Sequence, residues 1–233
     1  MRDLLLLLET SGETSSVALA QRAGEAWEVL AKAPQVGDAP QAIMRHTEQL
    51  LPLIRTVLPP HGWGRLAAVA TSSGPGSYTA LRAGLSSAKG ICLAQGIPLL
   101  QASTMRGLAP KPVGDAPDAR VLTLLPARRN EVYAAVYAGP ELREVMAPAV
   151  VENDLAWRTA MIANGISVVC GPEKRLLEGF DIAPTNRVVR ALDATNLLWE
   201  CEIRIAENRY DDLASTVPVY LRAPYITQAK TRL

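Results

Sequence analysis

The 233-residue sequence predicts an α/β protein whose strands and helices alternate in two linked halves, with mixed sheets and a cleft between two lobes. Three observations predict it. Residues 4–8 are all leucine, which marks a strand covered on both faces. Two stretches of helical periodicity follow, separated by short strand-like runs. The second half then repeats the opening pattern of strand, polar turn and strand, at 121–125, 126–130 and 131–137.

The elements follow in order. Glu9 ends the leucine run, and Glu9-Thr10-Ser11-Gly12-Glu13-Thr14 is a polar turn. Strands are predicted at 16–20 and 27–31, then a loop at 34–40 holding two prolines, Gly37 and Asp38. A helix is predicted over 43–58, because Ile43, Leu50, Leu51, Ile54, Val57 and Leu58 share one stripe. Pro52 inside it marks a kink or a first turn. Pro59-Pro60-His61-Gly62 ends that helix. A strand is predicted at 66–70, a tight loop at 73–77, and a long helix at 78–95 with Gly96 as C-cap.

The second half begins near Ala102, so the lobes are expected at 1–102 and 103–233. After the strands at 121–125 and 131–137 comes a short one at 167–170. A helix is predicted over 193–207, N-capped by Asp193, with Leu197, Leu198, Cys201 and Ile205 facing inward. The tail from Thr227 is polar and expected to fray.

Composition excludes several classes. With 48% apolar and 20% charged residues the chain can bury a core, unlike a disordered one. The 24 Lys+Arg against 23 Asp+Glu lack the basic excess of a dedicated nucleic-acid binder, Arg128 and Arg129 being a local patch. Aromatics at 5% disfavour a base-stacking platform. Cys92, Cys170 and Cys201 lie far apart with no Cys-x-x-Cys pair, which excludes a zinc knuckle or a redox pair and suits a reducing cytosol. The five-residue leucine run is too short for a signal segment or a membrane helix, so a cytoplasmic protein with no membrane association is expected.

Catalytic motifs are scarce. No Gly-x-x-x-x-Gly-Lys-Ser/Thr stretch exists, and Thr79 stands where a dinucleotide fingerprint starting at Gly74 needs its third glycine. His46 and His61 are the two histidines and form no paired metal motif, so no metal site is expected. Gly84-Leu85-Ser86-Ser87-Ala88 faintly resembles a nucleophile elbow, but both histidines precede it, and Ser86 and Ser87 read as helix-surface residues.

Three features carry more. The Glu9-Thr10-Ser11 turn after a strand reads either as a phosphate loop, with its acid holding magnesium through water, or as an ordinary turn. The Gly74-Pro75-Gly76-Ser77 loop opens a helix, so it reads as an anion site or as a plain cap at Ser77. Ala80, Gly84, Ala88 and Cys92 recur every four residues, a small-residue ridge that admits a close helix, from this chain or from a second subunit.

Together these segments resemble the TsaB (YeaZ) family of the bacterial tRNA threonylcarbamoyladenosine system. The resemblance rests on Leu7-Leu8-Glu9-Thr10-Ser11 with Ser16-Val17-Ala18-Leu19, on His46-Thr47-Glu48-Gln49-Leu50-Leu51-Pro52, and on Gly74-Pro75-Gly76-Ser77-Tyr78-Thr79 with Leu81-Arg82 and Gly84. Ala102-Ser103-Thr104, Glu131-Val132-Tyr133 and Pro218-Val219-Tyr220-Leu221-Arg222 continue it. It implies an actin/Hsp70-like (ribonuclease H-like) duplicated fold and a non-catalytic role beside a TsaD-type catalytic paralogue, with a TsaE-like ATPase joining the complex. It implies a homodimer when the chain is alone, tRNA met only indirectly, and no resident cofactor. ATP or ADP at the partner interface is the exception to weigh, with Glu9, Thr10, Ser11, Gly74, Gly76 and Ser77 as a vestigial phosphate site. The partner face implied is His46, Leu50 and Leu53 with Ala80, Gly84, Ser87, Ala88 and Ile91.

The sequence departs from the family pattern at Glu9, where most relatives have Asp, at Ala80 in place of Gly, and at Pro126 in place of Asp. Pro126 has no side chain to hold a metal or a nucleotide, which favours the accessory role over the alternative, a nucleotide-dependent ATPase or phosphotransferase. A peptidase reading finds neither a zinc motif nor a usable triad.

Overall fold

The computed structural model describes residues 2–34, 46–110 and 119–222. Its first sheet is built from β1 (Leu4–Glu9), β2 (Ser16–Ala23), β3 (Ala26–Ala33), β4 (Leu66–Ser72) and β5 (Leu99–Ala102), in the order β3-β2-β1-β4-β5. β2 is antiparallel to β1 and β3, and β4 is parallel to β1 and β5. The second sheet is built from β6 (Arg120–Pro126), β7 (Glu131–Ala138), β8 (Arg143–Glu152), β9 (Ile166–Gly171) and β10 (Arg187–Val189), in the order β8-β7-β6-β9-β10. Here β7 is antiparallel to β6 and β8, and β9 is parallel to β6 and β10. One topology therefore occurs twice, and the repeat legible at 121–137 extends to a whole sheet.

The helices are α1 (His46–Val57), α2 (Tyr78–Gln95), α3 (Thr104–Leu108), α4 (Leu155–Ala163), α5 (Lys174–Leu177) and α6 (Leu198–Ala206). Among the described residues, no helix is long and apolar enough to cross a membrane.

β1 is buried on both faces, as its leucines dictate, and the faces separate by parity. Leu4, Leu6 and Leu8 pack with Leu50 and Ile54 of α1 and with Leu85, Ala88 and Cys92 of α2. Leu5 and Leu7 pack with Ala194, Leu197 and Cys201. The stretch from 194 to 205, which the sequence places in the second lobe, thus completes the first lobe's core. Its expected single helix is a 3-10 turn, Ala194–Leu197, running into α6, and Asp193 caps it by accepting the Thr195 N–H at 2.8 Å.

The chain then returns along the first lobe. The Asp211 N–H donates to the Leu99 carbonyl at 2.9 Å, and the Val219 N–H to the Ser73 carbonyl at 2.8 Å. Arg222 pairs with Glu131 on β7, so this segment bridges both lobes.

Other expectations change in detail. Ile43 of the predicted first helix, residues 35–40 of the predicted loop and Thr227 of the tail lie outside the described residues. Leu51 leaves its predicted inward stripe and is 53% exposed. Pro52 sits inside α1. Gly96 closes α2 at φ 58°, the left-handed cap that glycine adopts without penalty.

Candidate functional site

The two predicted loops meet at the carboxyl ends of β1 and β4. Ser77 donates its N–H to the Ser11 carbonyl at 2.9 Å. A Cβ on Gly76 would lie 2.4 Å from that same carbonyl oxygen, so glycine is required for the two loops to touch. Glu9 is 1% exposed and accepts the Ser11 N–H at 2.7 Å, and Thr10 donates its N–H to Ser72 Oγ at 3.2 Å. Burial pushes the Glu9 carboxyl above its usual range, against the hydrogen bonds from Ser11.

These bonds tie the two loops to each other. The N–H groups of Thr10, Ser11 and Ser77 are consumed within the loops, and Glu9 faces its own turn. The opposite turn starts at Pro126, which has no N–H to offer. Thr10 Oγ1 and Ser11 Oγ of the same turn are buried without a hydrogen-bond partner. Among the described residues no cluster of three or more His, Cys, Asp or Glu is placed to hold a metal ion. Ser77 stands at the N-cap of α2, as the cap reading has it, with its carbonyl accepting the Leu81 N–H at 2.9 Å and no side-chain capping bond.

Outside this seal lies an interlobe cleft of about 810 Å³. Ser11, Gly76 and Tyr78 line it from the first lobe, Pro126 and Tyr133 from the second, and Tyr220 from the returning segment. Tyr78 and Tyr220 stack with ring centroids 4.7 Å apart, and Arg82 donates to the Tyr78 hydroxyl at 2.6 Å from above its ring. Sequence reasoning gave Tyr133 and Tyr220 no role at a site, because their distance along the chain hides that they line one cleft.

The helix pair is also redistributed. Ala80 and Ala88 are 0% exposed and face the sheet. A Cβ on Gly84 would lie 2.4 Å from Thr10 Oγ1, so the ridge seats α2 on the Glu9 loop at Gly84, while Ala88 and Cys92 join the core with β1 and with Leu50 and Ile54 of α1. Leu50, 1% exposed, is likewise core. Ala80, Gly84, Ala88 and Leu50 are therefore removed from the expected partner face. Leu53, Ser87 and Ile91 stay partly exposed at its edge, while the His46 side chain lies outside the described residues. The face α2 presents outward carries Ala83, Ser86, Gly90 and Ala94, with Leu93 79% exposed beside them. Gly90 has open space where a Cβ would stand.

The three cysteines are buried, and burial raises all three thiols, Cys92 to about 11 and Cys170 to about 12, so none is a ready nucleophile.

Two sheets of one topology flanking a cleft define a protein of the two-lobed actin/Hsp70-like class. A YeaZ-like protein of Pseudomonas aeruginosa, described as similar to a peptidase, superposes with a TM-score of 0.67 at 23% identity, over 94% of this chain and 100% of that one. A sequence model of the family described as "TsaD: tRNA N6-adenosine threonylcarbamoyltransferase" matches residues 31–158, more than half of the chain. The chain belongs to that family, and within it to the TsaB (YeaZ) proteins. It is 26% identical to the tRNA threonylcarbamoyladenosine biosynthesis protein TsaB of Haemophilus influenzae, over 94% of this chain and 93% of that protein. It is 31% identical to the TsaB of Escherichia coli, over 46% of this chain and 51% of that protein.

Proposed function

We propose that this chain serves tRNA threonylcarbamoyladenosine biosynthesis as a non-catalytic subunit that binds and stabilises a TsaD-type paralogue. The observation that carries the reading is the sealed Glu9 turn. The acid that would hold a metal in an active lobe is buried and bonded to its own loop. The fold is thereby free to act as a binding partner.

The binding face is the outward side of α1 and α2, where Leu51 and Leu93 stand exposed beside the small residues Ala83 and Gly90. Small side chains admit close helix approach, and exposed leucines supply the apolar area that association buries. Without the paralogue, the same face pairs two copies. A TsaE-like ATPase joins the heterodimer. The lobes divide after residue 102, except that 194–205 and the following segment through Asp211 and Val219 return to the first lobe.

The test is sedimentation of this chain with the TsaD-type protein of the same genome, followed by tRNA modification with and without it. A stable complex and modification that depends on this chain are expected. A chain that sediments alone beside that protein, or that transfers threonylcarbamoyl unaided, overturns the proposal.

A further inference from the structure

The accessory role leaves one large feature unused. A groove of about 1260 Å³ opens on the second lobe, and five arginines line it. Arg128 and Arg129 come from the β6–β7 turn, Arg158 from α4, Arg175 from α5 and Arg222 from the returning segment. They face three carboxylates, Glu131, Glu152 and Asp154. Two of these are engaged, Glu131 with Arg222 and Asp154 with the Trp157 N–H at 2.7 Å, where it caps α4. Arg175 pairs with Glu173, and Arg158 donates to Asn153 Oδ1 at 2.8 Å, so Arg128 and Arg129 on the exposed turn are the ones placed for a further anion. A guanidinium carries five N–H donors and a carboxylate takes two at most, so a paired arginine still reaches a second anion.

The groove is continuous with the interlobe cleft, the two sharing Pro126, Ala127, Arg128 and Arg222. Tyr78, Tyr133 and Tyr220 line that cleft, three of the six tyrosines in the chain. Tyr220 is 38% exposed, with one ring face against Tyr78. A low aromatic content is no obstacle when half of the tyrosines line one cleft. A basic groove running past aromatic rings is how proteins hold single-stranded nucleic acid, with phosphates on the arginines and bases on the rings. The cleft's 810 Å³ suits one extruded nucleotide. The spent N–H groups of the Glu9 turn argue against a free nucleoside triphosphate, whereas the arginine wall needs no such loop.

We propose that this groove and cleft bind single-stranded RNA, a tRNA loop, with its phosphodiesters on Arg128 and Arg129 and a base against Tyr220. The proposal rests on the chain's place in tRNA modification and departs from the expectation that tRNA is met only through the partner.

The test is fluorescence anisotropy of a labelled single-stranded anticodon-loop RNA with the intact chain at low salt. Arg128→Glu with Arg129→Glu, both exposed on a turn, is expected to weaken binding about tenfold or more. It should also reduce the slope of log affinity against log salt by about 1.4, for two lost phosphate contacts. Tyr220→Ala is expected to weaken binding about fivefold or more. Millimolar Mg-ATP should leave the RNA bound. Affinity that ignores all three substitutions, or RNA displaced by Mg-ATP, overturns the proposal. Unchanged thermal melting of each variant shows that folding is not the cause. Sedimentation with the TsaD-type protein is read separately. A chain that pairs but whose RNA affinity ignores the variants ends only this inference, and one that binds RNA through these residues but does not pair ends only the accessory role.

Discussion

Glu9 pays for its burial with a raised pKa, and that gives the fold a pH signature. Its folded pKa lies above its unfolded one, so its contribution to stability is full below about 4.5 and is lost as pH rises through the folded value. Glu9→Gln keeps the acceptor for the Ser11 N–H and removes the titration. The variant is expected to match or exceed the natural chain in urea midpoint at pH 7, with the advantage shrinking toward pH 4. An advantage that does not vary with pH would show that Glu9 does not titrate as described. The two helical glycines should respond in opposite directions. Gly84→Ala drives a Cβ into Thr10 and should cost about 1–3 kcal/mol, whereas Gly90→Ala enters open space and should stabilise by about 1 kcal/mol. Urea titration of both variants checks this. The ridge at Ala80, Gly84, Ala88 and Cys92 was legible in the sequence, but its destination was not. Small residues at period four permit close approach to any neighbour, and nothing local distinguishes a loop beneath the helix from a helix beside it.

At the scale of elements, α2 carries two stripes of small residues, one seated on the sheet and one outward at Ala83, Ser86, Gly90 and Ala94. Gly90→Arg with Leu93→Asp is expected to abolish pairing with the TsaD-type protein while leaving thermal melting within a few degrees of the natural chain. Sedimentation velocity and a melting curve decide it, and a pair that still forms would move the interface elsewhere. The elements missing from the sequence reading share a physical reason. β8 edges its sheet and alternates poorly, with none of its residues buried. α4 buries no residue fully, and its apolar face, Trp157, Met161 and Ile162, spans little more than one turn, although Asp154 as a capping residue was a usable signal. β1 and Gly96 were legible because each is dictated locally, by five leucines and by a left-handed cap.

At the scale of the whole molecule, the first sheet is covered on one side by α1 and α2 and on the other by residues that arrive about 90 positions after β5. Residues 1–102 alone should therefore not form a stable lobe, because Leu5, Leu7, Ala18 and Ala20 would face water. Circular dichroism and urea titration of that fragment are expected to show no cooperative transition. Leu197→Ala, at a position 0% exposed in this core, should cost the intact chain about 2–5 kcal/mol. This return was half legible: the inward face of 193–207 was read correctly, but the sheet it covers was not, since a stripe names no partner. The cleft was less legible still, because Tyr78, Tyr133 and Tyr220 come together only once both lobes and the returning segment are in place.

That late return also sets a timetable. At roughly 5–20 residues per second of synthesis, the sheet is complete several seconds before Ala194, Leu197 and Cys201 leave the ribosome. Throughout that interval the nascent chain displays an uncovered apolar sheet face. It is then a natural client for a holding chaperone, and ribosome-associated chaperone occupancy should rise after residue 102 and fall only once 205 has emerged.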